Sequence, residues 1–256
     1  MLTLPDVTLV IVDTICHSLA RMAVEDSTKN IEFGNVIVFS DKEEACPPKA
    51  NFVKVRISSH LDYQFFMWYA VPCHIFTSHF LVIQWDGFVI NSSAWQDNFL
   101  EYDYIGAPWT PKSDERYNVG NGGFSLRSVK LAQHVARFCK QEFRDPKKSE
   151  DIAIGRIYGD YLRKAGFKYP NDYIAAHFSI EEMWPRPDVP HFGFHGLFNF
   201  PRVLNKSRLE ERLAVIPEHG KNKFMGWGHD LDKVINETIE DIKTEGRELG
   251  YLVCQK

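Results

Sequence analysis

Four short stretches combine residue types that could do chemistry: Gln84-Trp85-Asp86-Gly87, Val119-Gly120-Asn121-Gly122-Gly123-Phe124, Ser149-Glu150-Asp151 and His191-Phe192-Gly193-Phe194-His195. The Asp86 carboxylate could bind a hard divalent cation. Mg2+ and Mn2+ typically take one or two carboxylates and complete their shell with substrate phosphates. Asp-Gly between two apolar runs is also a hairpin signal, so a turn explains the same residues. Asp151 could act as a general base, because a carboxylate within reach of a hydroxyl removes its proton as the hydroxyl attacks. A serine followed by two acids equally describes the start of a helix, capped and matched to the helix dipole. His195 is either a metal ligand supplied by a loop or a structural histidine. The glycines and prolines around His191 and His195 argue against the helix that would let the two chelate one ion.

The glycine loop places three glycines in four positions, just before Phe124-Ser125-Leu126. Such a backbone admits the close approach of a bulky group, or bends tightly in a core sheet. The loop lacks the Gly-Lys-Ser/Thr ending of a phosphate-binding P-loop and does not follow the first strand, which disfavours a dinucleotide site. Its place between Asp86 and Glu150-Asp151 predicts an open floor for a large polar substrate beside a carboxylate, where side chains at Gly122 and Gly123 would intrude.

The elements that must hold these pieces alternate. The apolar runs Val7–Val12, Val36–Phe39, Phe52–Ile57 and Phe80–Ile83 read as strands, the first two continuous enough to be buried on both faces. Helices are expected over Cys16–Thr28, Tyr63–His74, Val129–Phe143 and Asp151–Ala165, and one or two short strands over Tyr173–Ile180. Met183–His195 reads as a loop. Amphipathic helices are expected over Ser207–Val215 and from His229 to Arg247, the latter with Leu231, Ile235, Ile239 and Ile242 near one face. Strands alternating with helices predict an α/β fold with a single central, mostly parallel, Rossmann-like sheet flanked by helices. A C-terminal helical extension over 206–256 would pack on the main domain, 1–205. In such sheets ligands gather beyond the carboxyl ends of the strands. Asp13, Thr14, Ser40, Asp41 and Asp86 fall there, although Asp and Ser are also ordinary turn residues.

The 256 residues, 44% hydrophobic and 14% aromatic, suffice for a large core. The net charge of −4 and a pI near 6.2 give no basic excess of the kind a nucleic-acid partner requires, and Lys147-Lys148 is too short a patch. The five cysteines are widely spaced and form no Cys-x-x-Cys, which excludes a disulfide scaffold and a zinc ribbon and fits a reducing, cytoplasmic setting. Neither a signal peptide nor an apolar run of membrane-spanning length is apparent. Glu181 and Glu182 could touch a sugar hydroxyl or face solvent. Trp85, Trp95, Trp109 and Trp184 could stack on sugars or fill the core.

The ordered set Leu81–Asp86, Phe99–Trp109, Val119–Ser128, Glu150-Asp151, Phe178–Glu181 and Phe192–Gly196 resembles a family of uncharacterised bacterial proteins related to GT-A-type glycosyltransferases. The resemblance implies a GT-A-like fold and transfer of a hexosyl-type sugar from a nucleotide-diphosphate donor, in the synthesis of bacterial surface polysaccharide. In such folds an Asp-x-Asp motif binds metal and the donor diphosphate. Here Gln84 replaces the first acid, which leaves Asp86, with His195, to hold Mn2+ or Mg2+ and puts strict metal dependence in question. Asp13, Thr14, Asp41, Gln84, Trp85, Asp86, Gly122 and Gly123 would face the donor, and Trp109, Asn121 and Glu181 the acceptor. Glu150 and Asp151 would form the catalytic pair, with Asp151 the base of an inverting displacement. The acceptor would be a saccharide or lipid-linked saccharide, reached through peripheral membrane or assembly-complex contact. Two other readings fit the same residues: a non-catalytic nucleotide- or carbohydrate-binding module, and a metal-dependent hydrolase using Asp86 and His195.

Overall fold

A computed structural model describes residues 1–109, 119–138, 149–181 and 189–216. The chain opens with β1 (Leu2–Val12), α1 (His17–Thr28), β2 (Ile31–Ser40), β3 (Asn51–Lys54) and α2 (His60–Phe65). A π turn (Phe66–Ala70) and a 3-10 turn (Val71–His74) continue α2 over the expected length, and β4 (His79–Ile83) follows. Next come β5 (Tyr104–Ile105), β6 (Ser125–Ser128) and α3 (Val129–Phe138). The expected helix over 151–165 is split into α4 (Glu150–Ile152), a π turn (Ala153–Ile157) and α5 (Gly159–Lys164). The described chain ends with α6 (Asp172–Phe178), β7 (Ser179–Ile180), β8 (Gly193–Phe194), α7 (Phe200–Val203) and α8 (Lys206–Val215).

The fold is α/β. Six strands form one sheet in the order β3-β2-β1-β4-β6-β5. The β1–β2, β1–β4 and β2–β3 pairs are parallel, whereas β6 runs antiparallel to both β4 and β5. Strand β1 lies inside the sheet with parallel neighbours on both sides, which is why its sequence is apolar without alternation. Side chains still alternate in direction. Leu9 and Ile11 join the core beneath α1 and α6 to α8, while Val10 and Val12 join the core beneath α2 and α3.

Two expectations are corrected. Tyr173–Ile180 is mostly the helix α6, with only Ser179 and Ile180 extended. The Asn171 side chain accepts from the Ile174 N–H at 3.0 Å, an N-cap that outweighs the β-leaning tyrosine and isoleucine. The run Phe88-Val89-Ile90 does not return along β4. Reciprocal bonds between Gln84 and Gly87 close the turn at 2.8 and 3.0 Å, and the chain then bridges to β8 through Val89 and Gly193. Lys147-Lys148, Glu182, Trp184, Cys139, Cys254, the last residues of the expected helix over 129–143 and the helix over 229–247 lie outside the described residues. Cys16, Cys46 and Cys73 form no disulfide. Among the described residues no helix is long and apolar enough to cross a membrane.

Helix α8 packs Leu209 into the same core as Val203 and Leu204. Its Arg212 is 2% exposed, pairs with Asp26 of α1 and lies 4.9 Å over the Phe88 ring. Arg208 pairs with the same carboxylate. Arg212→Ala should therefore lower stability by about 3 kcal/mol in urea unfolding, because the half-buried Asp26 carboxylate loses its buried partner, a cavity opens and the ring loses its cover. Arg208→Ala, at a half-exposed position, should cost well under half of that.

Candidate functional site

The topology sets the site. The chain builds β2 and β3 outward from β1, then returns to the other side of β1 as β4. Such a switch point opens a crevice at the carboxyl ends of the strands. The register pairs Ile11 with Ile83 and Val12 with Phe39, so Asp13, Ser40 and Gln84 share one edge. Asp13 turns the chain into α1: its carboxylate accepts from the N–H groups of Ile15 and Cys16 at 2.8 and 2.6 Å. Burial pushes its pKa up, and the nearby Asp86 charge adds to this, against the opposing pull of those bonds and of His17. Thr14 makes one long bond, from its hydroxyl to the Ile57 carbonyl at 3.5 Å. Asp41 lies 2.7 Å from Nε2 of His17, and this bond holds its pKa down.

At the end of β4 the turn sends Trp85 and Asp86 in different directions. Trp85 is buried against Phe200 in the core. Asp86 is buried, and its Oδ1 has no hydrogen-bond partner. That oxygen lies 3.7 Å from Nε2 of His195. Gln84 spans the same space: its Nε2 donates to the Tyr63 hydroxyl at 3.0 Å, and its Oε1 lies 3.1 Å from Nε2 of His195. On the other side of the ring, Nδ1 lies 2.9 Å from the Glu181 carboxylate and 2.9 Å from Nδ2 of Asn121. Glu181 thus faces the histidine and orients its ring, the arrangement by which carboxylates fix metal-binding imidazoles.

The bare positions of the glycine loop do not open onto empty space, which corrects the expected open floor. A Cβ on Gly123 would lie 2.1 Å from Nε2 of His195, and one on Gly87 would lie 2.8 Å from Cδ2 of the same ring. The imidazole is therefore seated in a slot between two backbones, and the slot exists because both positions lack side chains. A Cβ on Gly122 would meet the Glu150 carboxylate at 2.2 Å, and one on Gly120 the Trp109 ring at 1.8 Å. Asn121 holds the loop's shape from a left-handed backbone at φ 66°. Its side chain accepts from the N–H groups of Gly123 and Phe124 at 2.8 and 3.0 Å. It is 1% exposed, and Tyr104 donates to its carbonyl at 3.0 Å. Trp109 stands at the rim of the loop with the Arg156 guanidinium 4.2 Å over its ring.

Glu150 and Asp151 face different partners. Glu150 is buried and pairs with Arg127 of β6, itself 3% exposed, at 2.9 Å. Asp151 is half-buried and accepts from the N–H groups of Gly122 and Ile152 at 3.1 and 2.8 Å and from the Ser149 hydroxyl. Burial, and then the Glu150 charge, push its pKa up, which moves a carboxylate toward the range in which it can exchange a proton near neutrality.

The structure thus gathers Gln84, Asp86, Asn121, Gly123 and Glu181 around the His195 ring, with Glu150 and Asp151 against the adjacent Gly122. Asp41 and Trp85 point to other partners. Sequence reasoning passed over Tyr63 and Arg127. Burial keeps the Tyr63 phenol protonated far past its usual range, and its hydroxyl holds Gln84. A signal for Arg127 was present, because an arginine inside a short, otherwise uncharged strand after a glycine loop needs a buried acid. Tyr63 carries no such mark.

Gly123→Ala tests the slot. The added methyl overlaps the His195 ring, so the variant should lose about 1–3 kcal/mol in urea unfolding, and the His195 ring resonances should shift in NMR spectra. Gly166→Ala, with nothing within 4 Å of its added Cβ, should leave those resonances in place.

No curated protein matches the chain. A crystal structure of a glycosyltransferase involved in the glycosylation of the major capsid of PBCV-1 is similar at a TM-score of 0.48 and 13% identity, covering 82% of this chain and 98% of that one. A mannosyltransferase from Pyrobaculum calidifontis in complex with GDP-Man and Mn2+ is similar at a TM-score of 0.36 and 8% identity, covering 51% of this chain and 46% of that one. A family described as "Protein of unknown function (DUF5672)" matches residues 50–195, a span that holds every site residue named above except those at the ends of β1 and β2. The chain belongs to that family.

Proposed function

We propose that the protein is a GT-A-like glycosyltransferase that moves a hexosyl-type sugar from a nucleotide-diphosphate donor to a saccharide or lipid-linked saccharide, with inversion. One observation carries the reading: neighbouring glycines serve the two chemical groups the reaction needs. Gly122 holds the Asp151 carboxylate through its N–H, and Gly123 seats the histidine that faces Asp86. A base and a phosphate-side cluster are thereby fixed one peptide apart at the mouth of an α/β sheet, which agrees with the order of motifs in the sequence.

In this reading the acceptor hydroxyl attacks the anomeric carbon while Asp151 takes its proton. The bond from that carbon to the diphosphate oxygen breaks, and the diphosphate leaves with the electron pair. The raised pKa of Asp151 suits a proton acceptor, and the Gly122 N–H keeps its carboxylate oriented. With Asp151 assigned as the base and Asp86 to the phosphate side, this reading assigns no carboxylate as nucleophile and takes direct displacement. The nucleoside would lie along Asp13, Thr14 and Asp41.

The residues present fit a divalent cation. Asp86 Oδ1 is a buried carboxylate oxygen without a partner, and the ring nitrogen facing it belongs to a histidine already oriented by Glu181. Among the described residues no group of three or more His, Cys, Asp or Glu side chains is arranged around a metal position, so Asp86 and His195 would hold Mn2+ or Mg2+ with ligands completed by the diphosphate and water. When bound, the ion would neutralise charge developing on the leaving diphosphate. We assign the activity to bacterial surface-polysaccharide synthesis at the cytoplasmic side.

A thermal-shift panel of nucleotide sugars, with and without Mn2+, followed by transfer assays with the stabilising donors, tests the reading. At least one nucleoside diphosphate sugar should raise the melting temperature, and more so with Mn2+. Asp151→Asn should keep that shift while lowering transfer by roughly 10²–10⁴-fold, the range for loss of a general base. Donor binding without transfer to any acceptor would favour a binding module, and rapid donor cleavage without an acceptor a hydrolase.

A further inference from the structure

The buried Arg127 guanidinium touches both structures that hold Asp151. Its Nη2 donates to Glu150 at 2.9 Å, on the short helix α4 that carries Asp151. The same Nη2 donates to the carbonyl of Gly122 at 3.2 Å, and the N–H of Gly122 donates to Asp151 at 3.1 Å. Nε is fixed by the Ser125 hydroxyl at 3.0 Å, and the Tyr104 ring lies 5.5 Å beneath the guanidinium carbon. One rigid fork therefore ties the carboxylate's helix to the peptide that orients it. Gly122 has no room for a side chain because the Glu150 carboxylate occupies that space.

Resting on the reading of Asp151 as the base, we propose that Arg127 is a positioning residue for it, acting through the Gly122 peptide and the Glu150 carboxylate. A buried ion pair is often replaceable by well-packed apolar residues without loss of stability, so stability alone does not call for a charged pair here. The location of the pair against both supports of Asp151 gives it a specific role. The titratable groups acting on Asp151 are Glu150 on its own helix and Tyr104 from β5, with the Ser149 hydroxyl and the Gly122 and Ile152 N–H groups bonded to it, and Arg127 from β6 reaches it through Glu150 and the Gly122 carbonyl. Glu150 disfavours the ionised form of Asp151, and Arg127 offsets that repulsion.

The test uses Arg127→Met, Arg127→Lys and Glu150→Gln in the full chain. Arg127→Met should lower kcat by about 10²-fold, the cost of a misplaced catalytic group, with donor KM little changed. The acid limb of its pH profile should move to higher pH, because Glu150 is left uncompensated beside Asp151. Arg127→Lys should keep the acid limb in place and recover part of kcat. Glu150→Gln should move the limb to lower pH, and this variant keeps the test valid should Arg127→Met fail to fold. If kcat and the pH profile match the wild type in every folded variant while only the melting temperature falls, Arg127 serves the fold alone and the proposal is overturned. If the wild-type chain transfers no sugar, the glycosyltransferase reading fails separately. The Asp151 titration, followed by carboxyl 13C NMR, then decides the role of Arg127: a shift between wild type and Arg127→Met that Arg127→Lys reverses supports it, and identical titrations in all three overturn it.

Discussion

The seating of the His195 ring between the backbones of Gly87 and Gly123 is the constraint from which the rest of the site follows. The ring comes from the end of β8, the slot from the turn after β4 and from the loop before β6. Closing that contact brings a late segment onto the edge of the sheet and fixes where Glu181, Gln84 and Asp86 can stand. A side chain on either glycine would push the ring out, so the loop's lack of side chains is a packing requirement. The same rule recurs at Gly122 against Glu150 and at Gly120 against Trp109. The loop has no bare surface of its own at these positions. It is the mould into which three separate parts of the chain, at Trp109, Glu150 and His195, are pressed.

Polar groups buried at this density need partners, because an unpaired buried group costs about 1–3 kcal/mol. Nearly all of them are met. Asn121 satisfies two loop N–H groups, Arg127 serves a carboxylate, a carbonyl and a hydroxyl, and Gln84 spans Tyr63 and His195. Asp86 Oδ1 is the exception within this cluster. A buried carboxylate oxygen without a donor, facing an imidazole held from behind, costs stability rather than adding to it.

Much of the scaffold was legible in the sequence. The continuous apolar run at Val7–Val12 announced a strand covered on both faces, and the alternation of strands and helices announced the parallel sheet. Two local readings failed for identifiable reasons. Short apolar runs do not distinguish a strand from a helix, so the N-cap at Asn171 had to decide the fate of 172–178. A turn signal such as Asp86-Gly87 says that the chain reverses. It does not say whether the second arm pairs with the first, and here Val89 pairs with β8 instead. The pairing of Glu150 with Arg127 rather than with open solvent was equally beyond reach, because nothing in a helix-start motif names its partner across the fold.

The sequence by itself determined which residues could do chemistry and in what order they occur, because side-chain type and short-range spacing are local properties. It also marked Asp13, Ser40 and Asp86 as strand-end residues, while the order and register of the strands brought Asp13, Ser40 and Gln84 to one edge. Only the tertiary structure decided what each group faces. Glycine at 123 could have served a ligand or a neighbour, and the path of the chain through β8 filled the space with His195. Two adjacent acids, Glu150 and Asp151, look equivalent in sequence. Packing sends one into an ion pair and leaves the other half-buried, with its carboxylate held by a backbone N–H, because successive side chains on a helix point about 100° apart and meet different surroundings.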